Sequence, residues 1–223
     1  MNDRFLLING SPRRNGTSAS FARTMKSLLE ENGRHVEIVN VMDFFSQKKS
    51  NNELRSLIDG SGTIGLITPM YVDFLPYPDI RLLEMLHDDF FKGLEGKNFF
   101  AICQFGFPDV ELGKPLIESC RIFAKSVYMK WLGGLSYGGG AIIDGKNLED
   151  IGKSGRKIIS GLRIACERIM IEEEIPFLVQ KAITVRIPRI LYRPLAVFLN
   201  HRTRKNAKEK GVKDLCARPY LDD

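Results

Sequence analysis

The sequence predicts an α/β fold: one doubly wound sheet of five parallel strands with helices on both faces, followed by a basic helical extension. Three observations predict it. Short apolar runs alternate five times with stretches of helical spacing over residues 1–175. Three of those runs, Phe5 to Ile8, Thr63 to Thr68 and Phe99 to Phe105, are nearly continuous, as in strands buried on both faces. The excess positive charge is confined to the end of the chain. Residues 181–223 hold 11 Lys+Arg against 4 Asp+Glu, which leaves 22 against 23 in residues 1–180.

The elements follow in order. The first run leads into a loop and then a stripe of Phe21, Met25, Leu28 and Leu29, with Gly33 placed to end that helix. Val36 to Val41 supplies the second strand, and a short helix near 52–60 fills the gap before the third. Segments 78–91 and 113–128 are the crossover helices before and after the fourth run. Leu132 to Ile143 reads as the fifth strand. Ile158, Leu162, Ala165, Cys166 and Ile169 form the last stripe, in a helix expected to reach Glu174 before Pro176 stops it. Five strands favour the order 2-1-3-4-5, with ligands outside the carboxyl ends of the strands, beside the switch point between the first and third. A composition shift near Pro176 divides the chain into a body, 1–175, and an extension, 176–223. In the extension, which also carries Pro188, Pro194 can open a helix and Gly211 can close one, over Leu195 to Lys210.

Composition excludes several classes. A hydrophobic content of 43% with 27% charged residues is that of a globular chain whose core needs no staples. No apolar run reaches the roughly 18 residues that span a bilayer. The start, Met1-Asn2-Asp3-Arg4, does not read as a secretory signal. Cys103, Cys120, Cys166 and Cys216 are far apart and form no C-x-x-C pair, so reduced thiols in a cytoplasm are expected rather than a cluster or zinc site. His35, His87 and His201 lack the spacing of a metal site or a triad, and no metal ligand is assigned. Asp88-Asp89 have nothing converging on them, and the G-x-S-x-G nucleophile signature is absent.

The loop after the first strand carries the chemistry: Asn9-Gly10-Ser11-Pro12-Arg13-Arg14-Asn15-Gly16-Thr17-Ser18. A strand, a small-residue loop and a helix start form the geometry that grips a phosphate, with loop and helix amides aimed at the anion. Ser11, Thr17 and Ser18 add hydroxyl donors, and Arg13 adds a charged fork. The Walker lysine and the G-x-G-x-x-G of a dinucleotide site are both missing. A plain turn with an N-cap would use some of the same residue types.

Gly10-Ser11-Pro12-Arg13 followed by Asn15-Gly16-Thr17-Ser18 resembles the phosphate loop of the NADPH-dependent FMN reductase-like family, which has the flavodoxin-like fold. The resemblance covers roughly residues 4–175 and implies FMN as cofactor, with Ser11, Arg13, Asn15, Thr17 and Ser18 as phosphate contacts. The family often has Asn where Thr17 stands. Thr68-Pro69-Met70-Tyr71-Val72-Asp73-Phe74-Leu75-Pro76 resembles the family segment that lies against the flavin ring, and it makes Pro69, Met70, Tyr71 and Val72 ring contacts. A flavin needs a flat apolar neighbour and backbone groups for its pyrimidine edge. An ordinary loop whose aromatics cover the sheet end is the plainer reading. Gln104-Phe105-Gly106-Phe107-Pro108-Asp109 and the glycine-rich 133–140 stretch also resemble family segments. They offer Gln104, Gly106 and Phe107 as a third wall, against a tight turn with glycines that serve packing.

The resemblance implies an FMN-binding oxidoreductase that passes electrons from NAD(P)H to a small acceptor: a flavin, a quinone, a nitro compound or an azo compound. Such chemistry requires no catalytic side chain, and none is assigned. An electron carrier without turnover of its own, and a protein of this fold that lost the cofactor, are the alternatives. A homodimer is likewise implied by the resemblance. Three readings of the basic helix stay open. It docks on the body or a second subunit, receives the 2′-phosphate of NADPH or an acidic partner, or lies on anionic lipid. Nucleic-acid binding has no motif behind it.

Overall fold

In the computed structural model, five strands form one all-parallel sheet in the order β2-β1-β3-β4-β5. Residues 3–46, 48–185, 190, 192–212 and 214 are described. The strands are β1 (Arg4–Asn9), β2 (His35–Asn40), β3 (Thr63–Pro69), β4 (Asn98–Phe105) and β5 (Lys130–Gly138). The helices are α1 (Thr17–Glu30), α2 (Met42–Phe45), α3 (Asn51–Gly60), α4 (Tyr77–Leu94), α5 (Lys114–Ser126), α6 (Gly140–Ile143), α7 (Lys153–Met170), α8 (Phe177–Ile183) and α9 (Tyr192–Glu209).

Alternation along the strands builds two core layers. Leu6 and Ile8 of β1 face one layer with Leu54 of α3, Leu82 of α4 and Leu116 of α5. Phe5 and Leu7 face the other, with Phe21 and Met25 of α1 and Leu162 of α7. Gly65 in β3 is paired directly with Phe100 of β4. A Cβ there would stand 2.2 Å from the Phe100 ring, so the glycine makes room for the aromatic core. Ser50 and Glu53 close a capping box that starts α3.

The chain departs from the sequence-based expectation at its carboxyl half. The fifth strand stops at Gly138 rather than running to Ile143. Gly139, at φ +89°, turns the backbone into the helical turn α6. α7 ends at Met170 and not at Glu174, because Glu172 takes a left-handed φ of +59° and the Glu173 N–H folds back onto the Arg168 carbonyl.

The body also continues past Pro176. α8 buries Val179 and Ile183, and its Gln180 pairs with the open edge of β5. The Ser136 N–H donates to Gln180 Oε1 at 2.7 Å, and Gln180 Nε2 donates to the Ser136 carbonyl at 2.8 Å. The Ile175 N–H adds a bond to the Leu132 carbonyl, so side chain and loop cover part of the edge strand. The first compact unit therefore runs to Val185, ten residues beyond the expected boundary at 175. The second unit, Arg186–Asp223, contains α9, which begins three residues before the expected Leu195. Its exposed residues include Val197 and Phe198 as well as Arg202, Arg204, Lys205 and Lys208. Pro188, Lys213 and Cys216 lie outside the described residues. Among the described residues no helix is long and apolar enough to cross a membrane, and no group of His, Cys, Asp and Glu could hold a metal ion. The thiols of Cys103, Cys120 and Cys166 are free and buried.

Candidate functional site

β1 ends in Asn9, whose side chain shapes the loop that follows. Asn9 Oδ1 accepts from the Ser11 N–H at 3.2 Å, and Asn9 Nδ2 donates to the Arg14 carbonyl at 3.2 Å. Asn40, at the end of β2, donates from Nδ2 to the Ser11 carbonyl at 3.0 Å. Two asparagines on adjacent strand ends thus hold the loop from below. Neither was singled out from the sequence, although Asn directly after a buried run is the signal of an Asx turn. α1 then starts at Thr17 with Gly16 as N-cap and no side-chain cap. Its first turn has no side-chain cap, and the helix dipole there favours an anion.

The expected phosphate contacts divide into two groups. Ser11 and Ser18 are buried, and both hydroxyl oxygens accept bonds, from the Arg13 N–H and from Gln104 Nε2. In these two bonds the hydroxyls act as acceptors and their own protons are not used. Thr17 is different: its Oγ1 donates to the Gly140 carbonyl at 2.7 Å. That proton is engaged in holding α6. Arg13 reaches Asp144 Oδ1 at 2.6 Å, in a pair that is mostly exposed. Arg14 is engaged with Asp43, whose carboxyl it holds below the usual range. Asn15 is exposed, and its carbonyl abuts Gly145.

Pro69 ends β3, and the segment beyond it makes a tight hairpin. The Tyr71 N–H donates to the Phe74 carbonyl at 3.0 Å, and the Phe74 N–H donates to the Tyr71 carbonyl at 3.1 Å. Val72 and Asp73 both take left-handed φ values, +50° and +62°. That is the two-residue turn that usually selects Gly or Asn. A β-branched residue there is strained, by about 1–3 kcal/mol. At the tip of this turn Val72 is 99% exposed, with Tyr71 at 50% beside it. The Met70 N–H bonds the Gln104 carbonyl and the Tyr71 N–H is spent in the hairpin. These two amides are therefore bonded within the protein.

Gln104 sits opposite Pro69 in the register and touches Ser18 at the start of α1. Gly106 and Phe107 are exposed at the same end of β4. Two of the neighbouring glycines serve packing. A Cβ at Gly138 would meet the Phe107 carbonyl at 2.4 Å, and one at Gly140 would meet Gln104 Oε1 at 2.1 Å. The site is thus a rim at the carboxyl ends of β1, β3 and β4.

No protein-family model matches the sequence, and no curated protein matches it. Solved structures do match in shape. An NADH:FMN oxidoreductase in its apo form superposes with a TM-score of 0.59 and 17% identity, over 79% of this chain and 93% of that one. A flavodoxin described as WrbA-like, from Agrobacterium tumefaciens, superposes with a TM-score of 0.55 and 8% identity, over 80% and 98%. The general stress protein 14 of Treponema denticola, solved in complex with FMN, gives 0.52 and 12%, over 73% and 98%.

The fold is flavodoxin-like.

In the flavodoxin-like strand order the chain reverses at β1 and β3, and the loops after these two strands border that switch point. The remaining side is closed by the strap after β5. Thr17 and Arg13 bind it at Gly140 and Asp144, and Arg23 Nη2 donates to the Gly145 carbonyl at 2.9 Å. Gly145, at φ +81°, lets the strap lie on the loop: a Cβ would stand 2.0 Å from the Asn15 carbonyl oxygen. Gly145→Ala is expected to lower the free energy of unfolding by about 1–3 kcal/mol, because it both strains the backbone and forces strap and loop apart. Urea denaturation checks this, and an unchanged midpoint would show that the strap is not seated on the loop.

Proposed function

We propose that this chain is an FMN-binding oxidoreductase that takes electrons from NAD(P)H and passes them to a small acceptor. The observation that carries the reading is the helix start without a side-chain cap, with two buried serine hydroxyls whose protons remain available, on the same sheet edge as an exposed apolar hairpin. The residues present fit FMN at its phosphate end. Ser11, Ser18 and the first amides of α1 would hold the phosphate, and Arg13 is exposed enough to turn to it from Asp144. Pro69, Met70, Tyr71 and Val72, with Phe107 across β4, would flank the ring and exclude water from one side. Bound FMN would supply the hydride acceptor, and the chain's own groups would bind and orient it. Gln104 would fix Ser18, and Thr17 would keep the strap closed.

The reductase part of this reading is supported by the resemblance of the loops at 10–18 and 68–76, together with the shared fold of the NADH:FMN oxidoreductase. The acceptor class stays broad: flavins, quinones, nitro compounds and azo compounds all suit a shallow apolar rim. The buried free thiols suit a reducing compartment, and we propose the cytoplasm.

An absorbance spectrum of the purified chain, incubated with FMN and freed of excess ligand, tests the reading. The expected result is a flavin spectrum that bleaches on anaerobic addition of NADPH or NADH. Retained colour without bleaching would point to an electron carrier, and a colourless protein would end the FMN reading. At the residue level, Arg13→Ala should weaken FMN binding by more than the roughly 1 kcal/mol of an exposed ion pair. Asp144→Asn should tighten it by up to about 1 kcal/mol, because it releases Arg13. Fluorescence titration checks both, and equal affinities in all three proteins would remove Arg13 from the site.

A further inference from the structure

Among the described residues, Asp79 is the only buried Asp or Glu. It stands in the first turn of α4 with its carboxyl against the phosphate loop. A Cβ at Gly10 would lie 2.3 Å from Oδ2 and 2.5 Å from Oδ1. Oδ2 meets the hydroxyl of Thr68 at the end of β3, and Oδ1 has no hydrogen-bond partner. The titratable groups that face Asp79 from other elements are thiols. Cys120 comes from α5, with Cys103 of β4 behind it, and burial keeps both protonated. The loop cations Arg13 and Arg14 are engaged with Asp144 and Asp43. Arg55 and Asp59 of α3 lie against the far half of α4, at Asp89, Phe90 and Gly93.

Only a protonated Asp79 lets both contacts of the Thr68 hydroxyl be hydrogen bonds at once. The hydroxyl has one proton and two contacts: the Pro69 carbonyl at 2.9 Å, which can only accept, and Asp79 Oδ2. If the hydroxyl proton goes to Pro69, the Thr68–Asp79 contact lacks a hydrogen unless Asp79 supplies it. An ionised Asp79 would be a buried charge with no cation beside it. We infer that Asp79 is a protonated carboxylic acid at neutral pH, donating from Oδ2 to Thr68 Oγ1, and that its ionisation weakens anion binding on the loop it supports. It is a positioning residue. The anion is FMN only on the reading above, whereas the protonation does not depend on that reading.

Burial agrees: it pushes the carboxyl up to about 8 from its usual range near 4, even against the Thr68 hydroxyl, whose bond pulls the other way. A raised folded value means that the protonated form suits the fold. The stability held by this proton is complete below the unfolded value near 4, and it is lost as pH climbs through about 8.

The test is an NMR titration of the full chain labelled with carboxyl-13C aspartate. One carboxyl is expected to titrate near pH 8 and to vanish in Asp79→Asn. A set of carboxyls that all titrate below about 5 would overturn the proposal. This count is made on the wild type, so an Asp79→Asn chain that fails to fold does not spare it. The coupling is read by FMN affinity at pH 7 and pH 9. The phosphate is already almost fully dianionic over this range. Wild type should lose affinity on the order of tenfold, while Asp79→Asn stays within about twofold. Equal losses in both proteins, or none in wild type, would overturn the coupling. If neither protein binds FMN at either pH, the functional reading fails while the carboxyl count still decides the state of Asp79.

Discussion

The bond from the Gly10 N–H to the Ile67 carbonyl, at 2.9 Å, is the contact on which the candidate site depends. It extends the pairing of β1 with β3 one residue past Asn9 and pins the loop at residues 10–16 to the strand that carries the aromatic hairpin. Adjacent parallel strands necessarily end on the same edge, and this bond makes their two loops one structure. Gly10 can take that place because it has no side chain: the space a Cβ would need is filled by the Asp79 carboxyl. A glycine that looks like a phosphate-loop device is, from inside, a packing requirement.

The same rule of close approach governs the far wall. The strap 139–145 reaches the loop only because Gly140 admits the Gln104 side chain and Gly145 admits the Asn15 carbonyl. Thr17 and Arg13 then bridge the gap with one neutral bond and one exposed ion pair. The neutral bond is buried and contributes to stability, whereas an exposed pair of this kind contributes about 0–1 kcal/mol. The strap is thus held mainly by shape, and the exposed Arg13–Asp144 pair is the weaker part of the contact.

The sheet order and most helices were legible because parallel strands buried on both faces must be continuously apolar, and their crossovers must show a 3.6-residue stripe. The end of β5 was not, because Gly138 to Gly140 read as strand glycines although Gly139 reverses the backbone. α8 escaped because its anchor is Gln180 on a strand edge, which no periodicity reports. At the candidate site, the strand, loop and helix start that carry Ser11 and Ser18 were legible from loop chemistry. The commitment of Thr17 and Arg13 was not, since their partners lie 123 and 131 residues away. Asp79 was hidden for another reason: an acid in the first turn of a helix is ordinary, and nothing local says that this one is buried.

The central claim is that the loop from Gly10 to Ser18 recognises a phosphate carried by a flavin. Comparing the affinity of the purified chain for FMN and for riboflavin tests it most directly, because the two ligands differ only in that phosphate. Two charge-assisted bonds and the helix start predict that FMN binds at least about a hundredfold more tightly. Equal affinity for the two, or binding of neither, would contradict the account.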